Sequence, residues 1–567
     1  MIACNVIRRS PYNLSSLGFA RLKAAWQAYI IARRGERLNM KIYHLIPVFV
    51  FGACSIGVQA PDAQNTPEPS AYEPPSRTVF VAINGDDNQS GAKDRPWRHI
   101  QYAIDHAGPS AQIYVGPGIY TELITISGPM ASGINAHPSL LKSDGAIIDG
   151  SGKTPANERG LITIENASHI VVTGFEIRNF STPAGFSHDG FPKGIYIHGS
   201  GEDIEISHNR IHDIHENSTC TQNDNNCSSA ANGIGIYGDT RTGLKNIKLI
   251  ANEVFDNMLG ASEALTLNGN ISGFIVRDNF VHDNNNIGFD FIGYEDDVCL
   301  ACTEPENRAR NGIVQRNIAR NNSIIHFGAN PWYGGEDGNA AGFYVDGAHH
   351  IVFENNISTG NDLGMEIASE APGGSSSDIL VASNLIYNNF DIGIALGGYD
   401  ANPNRPGGGS TARIKIINNT LYHNQGHSSE LTLSYRISDL DFINNIISGK
   451  TTTDALYEAP DTNAGHVRMN WDHNLWWADT GRDGIPVPDA NGLIADPQFT
   501  NIENGHARVN AGAPSIDAGI SQSPITNWGD PFWQDHYPDG QIPVPGETDI
   551  DKMPRQNGPL DMGASEF

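Results

Sequence analysis

Short runs of alternating apolar and polar residues recur along the chain from about Leu161 onwards. Each unit opens with a strand after Gly, turns into a second strand, and then places an Asn before a third short strand. Clear examples are GIYIHGSGEDIEISHNRIHD, ALTLNGNISGFIVRDNFVHD and GFYVDGAHHIVFENNIST. Because a period of two is typical of β-strands, the pattern predicts an all-β protein built from repeated coils.

The repeated Asn residues indicate how the coils are arranged. One coil cannot bury its apolar face alone, whereas stacked coils place Ile, Val, Leu and Phe over one another. An Asn at a tight bend tolerates left-handed backbone and can hydrogen-bond to the next coil. We therefore expect a right-handed parallel β-helix with a structural Asn column: Asn209, Asn252, Asn279, Asn317, Asn356, Asn384, Asn419 and Asn445.

The two ends of the predicted β-helix differ from its middle. Between strand-like segments, Ile100, Ala103, Ile104 and Ala107 lie on one helical face, which predicts a short N-terminal helix that caps the open end of the stack. We place the β-helix at residues 78–480 and a loop-rich C-terminal capping segment at 481–567.

The start of the chain resembles an export signal. Residues 40–60 combine a short basic start, an apolar run and a small-residue exit, and residues 61–77 form a Pro-rich tether. Met40 is our favoured start, which would leave the basic segment 1–39 untranslated. Cys54 would be the lipidated residue of a lipoprotein, and the alternative is simple secretion after Ala60. An exported protein is expected either way: secreted, periplasmic or on the cell surface.

The charge of the chain limits the binding partners that we expect. The formal charge is −28, although the first 41 residues carry eight basic side chains and one acid, so the remainder is more acidic still. Such a surface repels nucleic acid and anionic lipid, which leaves a lipid at Cys54 as the expected membrane contact. We expect a monomer.

Export favours two local disulfides over a shared Cys4 zinc site: Cys220 with Cys227 and Cys299 with Cys302.

Motifs at both ends carry a family resemblance. VFVAINGDD, followed by Pro96, Ile100 and VGPGIYTE, is similar to the N-terminal signature of several exported β-helices, and the ending from Ala495-Asp496-Pro497 to LDMGASEF is similar to their closing motifs. The chain therefore resembles the pectate-lyase-like superfamily over roughly residues 78–567. That superfamily includes polysaccharide lyases, glycoside hydrolases and uronan epimerases, so the resemblance implies the fold and a carbohydrate substrate but not the reaction.

Stacking the coils predicts a site. If the apolar residues of the strands after Gly point inward, one outward column reads Tyr196, Gly235, Thr266, Asp290, Tyr344, Glu366 and Ala395, and the next contains His198, Asn268 and Asp346. Asp290, Asp346 and Glu366 then meet on three successive coils. Paired carboxyls of this kind can donate a proton to a leaving oxygen and activate water or attack a sugar, so these three are the predicted catalytic residues.

Further residues around these acids are candidate substrate ligands. Glu295, Glu370 and Asp400 follow strand ends, Glu263 begins a strand, and Arg308 lies in the loop after the second Cys pair. Long insertions would form groove walls, and one of them carries two aromatic residues. The predicted substrate-binding residues are His198, Asn268, Tyr344, Glu370, Asp400, Arg308, Trp332 and Tyr333. Bound Ca²⁺ at Asp290, Asp346 and Glu366 is the alternative use of the acids, and no other cofactor is predicted.

Three functions follow from this site. The first is an exported glycoside hydrolase acting on a polysaccharide or oligosaccharide, although the Asn-Thr-Asp, Gly-His-Gly and Arg-Ile-Lys motifs of β-helix polygalacturonases are absent. The second is a calcium-assisted polysaccharide lyase, for which Lys193 and Arg308 are the available bases. The third is a surface glycan-binding β-helix without catalytic activity.

Overall fold

The computed structural model describes residues 77–185, 190–224, 227–325, 327–334, 338–424, 429–450, 456–458, 464–480, 486–555 and 559–567. Across them the chain winds as a right-handed parallel β-helix whose coils build three long sheets. The predicted fold class is confirmed. The predictions for residues 1–76, including the export signal at 40–60 and Cys54, lie outside the described residues.

Sheets 1 and 3 have 13 strands each. The strands of sheet 1 are Thr78–Val81, Gln112–Val115, Ser139–Ser143, Ile170–Thr173, Gly201–Ser207, Leu244–Ile250, Ile271–Arg277, Ala309–Gln315, His349–Glu354, Ser375–Ala382, Ser410–Ile417, Ile437–Ile443 and Val467–Asp472. Those of sheet 3 are Gly118–Tyr120, Ala146–Asp149, Glu176–Ser181, Arg210–His215, Glu253–Phe255, Phe280–His282, Ile318–Arg320, Ile357–Thr359, Leu385–Tyr387, Thr420–Tyr422, Ile446–Gly449, Leu475–Ala478 and Leu493–Ile494.

Sheet 2 has 11 strands and precedes sheet 1 within each coil. Its strands are Ile124–Ser127, Asn157–Glu165, Gly190–His198, Asn232–Gly238, Leu265–Gly269, Phe289–Ile292, Ala341–Asp346, Leu363–Ala368, Ile392–Leu396, Leu431–Leu433 and Tyr457–Glu458. The other elements are the helices Ile100–Ala107, Gly128–Ala131 and Pro531–His536, the 3-10 turns Pro331–Tyr333 and Ile502–Asn504, and two antiparallel pairs, Phe499–Asn501 with His506–Val509 and Ile525–Thr526 with Gln541–Ile542.

The core is made of apolar columns that run along the helix axis. In sheet 2, the inward residues of successive coils are at most 1% exposed: Ile195, Ile234, Leu265, Phe289, Phe343, Met365 and Ile394. The rings of Phe289 and Phe343 stack with centroids 4.8 Å apart. Each such side chain contributes roughly 1.5–3 kcal/mol of burial free energy, so the stacked columns hold the strands in register.

Two ladders of Asn side chains lock the turns. In the first, the Nδ2 of each Asn donates to the Oδ1 of the Asn in the next coil at 2.9–3.1 Å, along the predicted column from Asn209 to Asn445 and on to Asn474. This ladder fills the two-residue turn between sheets 1 and 3 and ends on Asp489. The predicted structural column is confirmed.

The second ladder, which the sequence pattern did not reveal to us, lies between sheets 3 and 2. It has the same geometry, with Nδ2 to Oδ1 distances of 2.7–3.1 Å. Its members are Asn257, Asn284, Asn322, Asn361, Asn389 and Asn424, and it ends on the buried carboxyl of Glu430. Burial raises the pKa of Glu430 to about 8.

The chain ends pack against the solenoid. The helix Ile100–Ala107 buries the four residues of its predicted apolar face against the first strands, and its role as a cap remains a prediction. In the segment after 486, Phe532 and Trp533 lie on the outer side of sheet 1 against Ile313 and Val352. Within the described residues, no helix is both long and apolar enough to cross a membrane.

Candidate functional site

The outer face of sheet 2 has the register that the sequence predicts. Gly235, Thr266, Asp290, Tyr344 and Glu366 are successive Cα partners on adjacent coils. Since neighbouring residues of a strand point to opposite faces, the inward Phe289 and Phe343 turn Asp290 and Tyr344 outward. Asp346 pairs with Ala368, two positions beyond Glu366, so the Cα atoms of Asp346 and Glu366 are about 8 Å apart.

Six carboxyls interact on this face, and we call them the acid patch: Glu263, Asp290, Glu295, Asp346, Glu366 and Glu370. Three of them are the predicted catalytic residues, and the other three lie just outside the strands. Asp290 and Asp346 are 2% and 4% exposed, whereas the four glutamates are partly exposed. The patch therefore has a buried aspartate layer under glutamates that reach solvent.

Burial and mutual repulsion raise the pKa of acids throughout the patch. Burial raises the pKa of Glu366 to about 8, with a further contribution from Glu370. Burial, reinforced by Glu263 and then Asp346, holds the pKa of Asp290 well above its usual range. The Glu370 carboxylate is the common neighbour, because it raises the pKa of each other member: Glu263, Asp290, Glu295, Asp346 and Glu366.

Hydrogen bonds distinguish the members. Asp346 Oδ1 accepts the backbone N–H of Glu370 at 2.6 Å, a contact that favours its ionised form although burial still raises its pKa. Asn268 Nδ2 donates to Glu295 Oε2 at 2.6 Å. The other oxygens of this pair, Asn268 Oδ1 and Glu295 Oε1, are buried without a hydrogen-bond partner, and so is Asp290 Oδ1. The patch thus has acceptor atoms that the protein does not satisfy.

Apolar and aromatic groups border the acids. Ile287, Ala341, Leu363 and Ile392 form a strip beside the patch, together with Tyr344. The Tyr399 side chain is 49% exposed, and burial and the nearby Glu370 carboxylate raise its pKa. Tyr333 accepts a hydrogen bond from Asn286 Nδ2 at 3.2 Å. A ring face of a sugar can lie on such a surface.

One buried cation adjoins the patch. Lys193 is 1% exposed, and its Nζ donates to Asn232 Oδ1 at 2.9 Å between the rings of Tyr196 and Tyr237. Burial lowers the pKa of Lys193, against the attraction of Glu158 and Glu263. Burial raises the pKa of Glu263 to about 7, and Lys193 limits that rise.

Several predicted ligands belong to the patch and others do not. Asn268, Tyr344, Glu370 and Tyr333 adjoin the acids. His198 lies four coils before Asp346, roughly 19 Å along the axis, where it stacks on Tyr196 and contacts Asp239. The structure therefore separates His198 from the acids with which we grouped it.

Three more predicted ligands are engaged elsewhere. Arg308 donates from Nε to Gly347 O at 2.6 Å and from Nη2 to Ser375 O at 2.5 Å, so its guanidinium fastens a loop instead of facing the acids. Trp332 is 6% exposed and packs on the Cys220–Cys227 pair, so its ring face is not available for stacking on a sugar. Asp400 accepts the backbone N–H of Asn402 in a loop turn.

Both predicted disulfides are formed, Cys220 with Cys227 and Cys299 with Cys302. A shared Cys4 zinc site is therefore excluded. Away from the patch, His169, Glu202 and Asp203 bring ligand atoms within 4.8 Å of one another on the surface. In the patch, the unpartnered oxygens of Asp290 and Glu295 are of the type that Ca²⁺ prefers.

Sequence reasoning named Glu263 and Glu295 as nearby acids without giving them a role, and it missed Tyr399. Glu263 precedes the strand Leu265–Gly269 by two residues, so the strand register itself could have placed it. Glu295 and Tyr399 follow their strands, where chain direction is set by loops. The sequence signal that could have identified them is their position shortly after strands of sheet 2.

Comparison with known proteins gives one close relative. The uncharacterized protein YwoF of Bacillus subtilis (strain 168) is 32% identical over 414 residues, which cover 72% of this chain and 81% of YwoF. No protein-family model matches the chain.

Several solved structures have a similar chain path. The pectate lyase Pel9A has a TM-score of 0.42 and 14% identity, covering 79% of this chain and 93% of its own. The GH136 lacto-N-biosidase from Eubacterium ramulus has a TM-score of 0.43 and 12% identity, covering 70% and 67%. XylC in complex with xylose has a TM-score of 0.44 and 13% identity, covering 86% and 98%. At these values the likeness does not bear on activity, and the fold rests on the strand pairing itself.

Proposed function

The chain belongs to the family of the Bacillus subtilis protein YwoF, and from the acid patch on its β-helix we propose that it is a glycoside hydrolase. In this proposal Glu366 is the proton donor to the leaving oxygen, and Asp346 is the ionised partner that activates water or attacks the sugar. The substrate is a polysaccharide or oligosaccharide that lies along the outer face of sheet 2.

The observation that carries the proposal is the difference between these two neighbouring carboxyls. A glycoside hydrolase needs one carboxyl that holds its proton and one that has lost it. With a pKa of about 8, Glu366 keeps its proton at neutral pH. Burial raises the pKa of Asp346 as well. Its Oδ1 nevertheless accepts the backbone N–H of Glu370, a contact that favours the ionised form and has no counterpart shown for Glu366 in the described residues. Their Cα atoms, about 8 Å apart on adjacent strands, allow the carboxyl separations used by paired acids.

The surroundings supply binding groups for a sugar. Tyr399, Ile287 and Ile392 are partly exposed and offer apolar surface for a ring face. Glu370 and Asp290 remain as acceptors for sugar hydroxyls, and Tyr344 stands between the two proposed catalytic residues. Glu370 also raises the pKa of the proton donor, so its removal should weaken acid catalysis as well as binding.

The test begins with a panel of plant, algal and microbial polysaccharides, scored for new reducing ends. On an identified substrate, Glu366→Gln should lower kcat by about 10²–10⁴-fold, the range of general acid catalysis. The same variant should lose far less on an aryl glycoside whose leaving group needs no protonation. Asp346→Asn should be impaired on both substrates. Asp535→Asn, which removes an exposed charge in the helix Pro531–His536, is the matched control. Full activity of Glu366→Gln on the natural glycan contradicts the assignment.

A calcium-assisted polysaccharide lyase is the second candidate, favoured by the unpartnered oxygens of Asp290 and Glu295. Those two residues with Asp346 would hold Ca²⁺, which would neutralise a uronate carboxylate. Lys193 interacts with Glu263, but it lies on the same strand as His198, four coils before Asp346, which counts against this candidate. An unsaturated, ultraviolet-absorbing product that disappears with chelator supports this reading over hydrolysis. Binding without turnover would instead indicate a glycan-binding β-helix.

We also infer that the protein is exported, because disulfides persist in oxidising compartments. We further propose that Cys54 is lipidated. Membrane fractionation of the native protein and of Cys54→Ala tests this. Lipidation predicts that the native protein is in the membrane fraction and that the variant is released.

A further inference from the structure

The acid patch has an excess of hydrogen-bond acceptors over donors. Ionised carboxylates only accept, and each offers about four lone-pair sites. The one donor that the patch shows towards Glu295 is Asn268 Nδ2. Arg308, in the loop that follows Glu295, donates to backbone carbonyls instead. Lys193 interacts electrostatically with Glu263, at one end of the patch, and its own side chain is buried.

Three unsatisfied oxygens belong to neighbouring residues of the patch, beside the Thr266 and Tyr344 hydroxyls, which are buried without a partner as well. Asn268 Oδ1, Asp290 Oδ1 and Glu295 Oε1 are all buried and lack partners. Asn268 and Asp290 are 3% and 2% exposed, and their outward positions on adjacent strands are about 8 Å apart by Cα. Burial of a polar atom without a hydrogen-bond partner costs free energy. A ligand that donates several hydrogen bonds and carries positive charge would satisfy all three.

We propose that the site binds glycans with free amino groups, and that the ammonium of a de-N-acetylated hexosamine lies against Asn268, Asp290 and Glu295. The inference rests on the proposed function and names its substrate class. An ammonium has three N–H donors and a full charge, whereas an N-acetyl group has one N–H and no charge. A uronate brings a further anion next to those carboxyls of the patch that are ionised, and repulsion disfavours it.

This ammonium position lies next to the proposed catalytic pair along the β-helix axis. Asp290 is on the strand before Tyr344, and Tyr344 pairs with Glu366. The amino sugar would therefore contact Asp290 within one or two coils, about 5–10 Å, of the bond that is cleaved. A cation there also favours ionised carboxylates, so binding should release protons from Asp290 and Glu295, whose pKa values burial raises.

The experiment is calorimetric binding by the full chain in EDTA. The probes are matched pairs of oligomers, fully de-N-acetylated and fully N-acetylated, of β-1,4-glucosamine and α-1,4-galactosamine, with oligogalacturonate as the anionic probe. We expect at least one de-N-acetylated oligomer to bind tenfold or more tightly than its acetylated partner. We also expect proton release on binding, which is measured from the change in binding enthalpy between buffers of different ionisation enthalpy. Higher salt should reduce this preference.

Variants locate the contact. Asp290→Asn with Glu295→Gln should reduce the preference to less than threefold, whereas Asp535→Asn should keep it. If the double variant fails to fold, Glu295→Gln alone, at a partly exposed position, should reduce the preference by at least threefold. Equal binding of both members in both pairs overturns the inference, as does tighter binding of oligogalacturonate or binding that requires added Ca²⁺.

The two proposals fail in different ways. Hydrolysis of a neutral or acetylated glycan that depends on Glu366, without amine preference, overturns the amino-sugar inference and keeps the hydrolase. Amine-selective binding without new reducing ends from any of these oligomers supports the inference and counts against the hydrolase.

Discussion

The raised pKa of Glu366 makes a prediction that needs no substrate. Folded Glu366 has a pKa of about 8 against an ordinary value of 4.5. Below pH 4.5 the side chain is protonated in both folded and unfolded chains, so it does not affect stability. Between pH 4.5 and 8 the unfolded chain loses the proton that the folded protein keeps, and stability falls as pH rises. Above pH 8 the loss is complete.

The magnitude follows from the shift. One pKa unit corresponds to about 1.4 kcal/mol, so the full shift is at most about 5 kcal/mol. Glu366 is partly exposed, and solvent screening reduces the expected cost to about 2–3 kcal/mol at pH 8. Gln has the shape of protonated Glu and does not titrate. Glu366→Gln should therefore match the native protein near pH 4.5 and exceed its free energy of unfolding by about 2–3 kcal/mol at pH 8.

Urea unfolding at pH 4.5, 6 and 8, followed by tryptophan fluorescence and circular dichroism, measures this difference. Asp535→Asn is the control, since it removes an exposed carboxyl outside the acid patch. A Glu366→Gln difference that is the same at all three pH values refutes the reasoning. A variant that becomes less stable than the native protein as pH rises refutes it more strongly, because the sign would be reversed.

Three further predictions concern the first ladder, one glycine of sheet 2 and the reaction. Asn317 makes four side-chain hydrogen bonds in the first ladder, so Asn317→Ala should cost about 3–5 kcal/mol by urea unfolding, against less than about 0.5 for exposed Asn404→Ala. A Cβ on Gly364 would lie 2.3 Å from Ile386 Cγ2 and 2.5 Å from Gly393 O, so Gly364→Ala should lower stability by about 1–3 kcal/mol. If Glu366 donates the proton, kcat should fall as pH rises past about 8, and Glu366→Gln should lack this alkaline limb.

The sequence was sufficient to predict the strand register and hence the middle of the site. Inward Phe289 and Phe343 could occupy only the core, and alternation then turned Asp290 and Tyr344 outward. The first Asn ladder was equally readable, because it sits in a two-residue turn of constant length. These features depend on local periodicity, which a single sequence displays directly.

The rest of the site depends on where loops go, and alternation does not extend into loops. Glu295 and Tyr399 reach the acids because the chain bends after the strand that precedes each of them. Trp332 looked like a sugar platform, but the loop folds it onto the first disulfide, where burial of its indole is more favourable than exposure. Arg308 similarly donates to backbone carbonyls of Gly347 and Ser375 on the following coils.

The ladders also explain why the site lies on sheet 2. From Thr173 onward, the turn between sheets 1 and 3 keeps two residues in every coil, and an insertion there would break the first ladder. The second ladder fixes only the first residues after sheet 3, so the chain can lengthen beyond Asn322 before it enters sheet 2. Insertions are thus confined to the two edges of sheet 2, and both disulfide loops lie there. Inserted loops therefore flank the outer face of sheet 2, whose columns carry the acids.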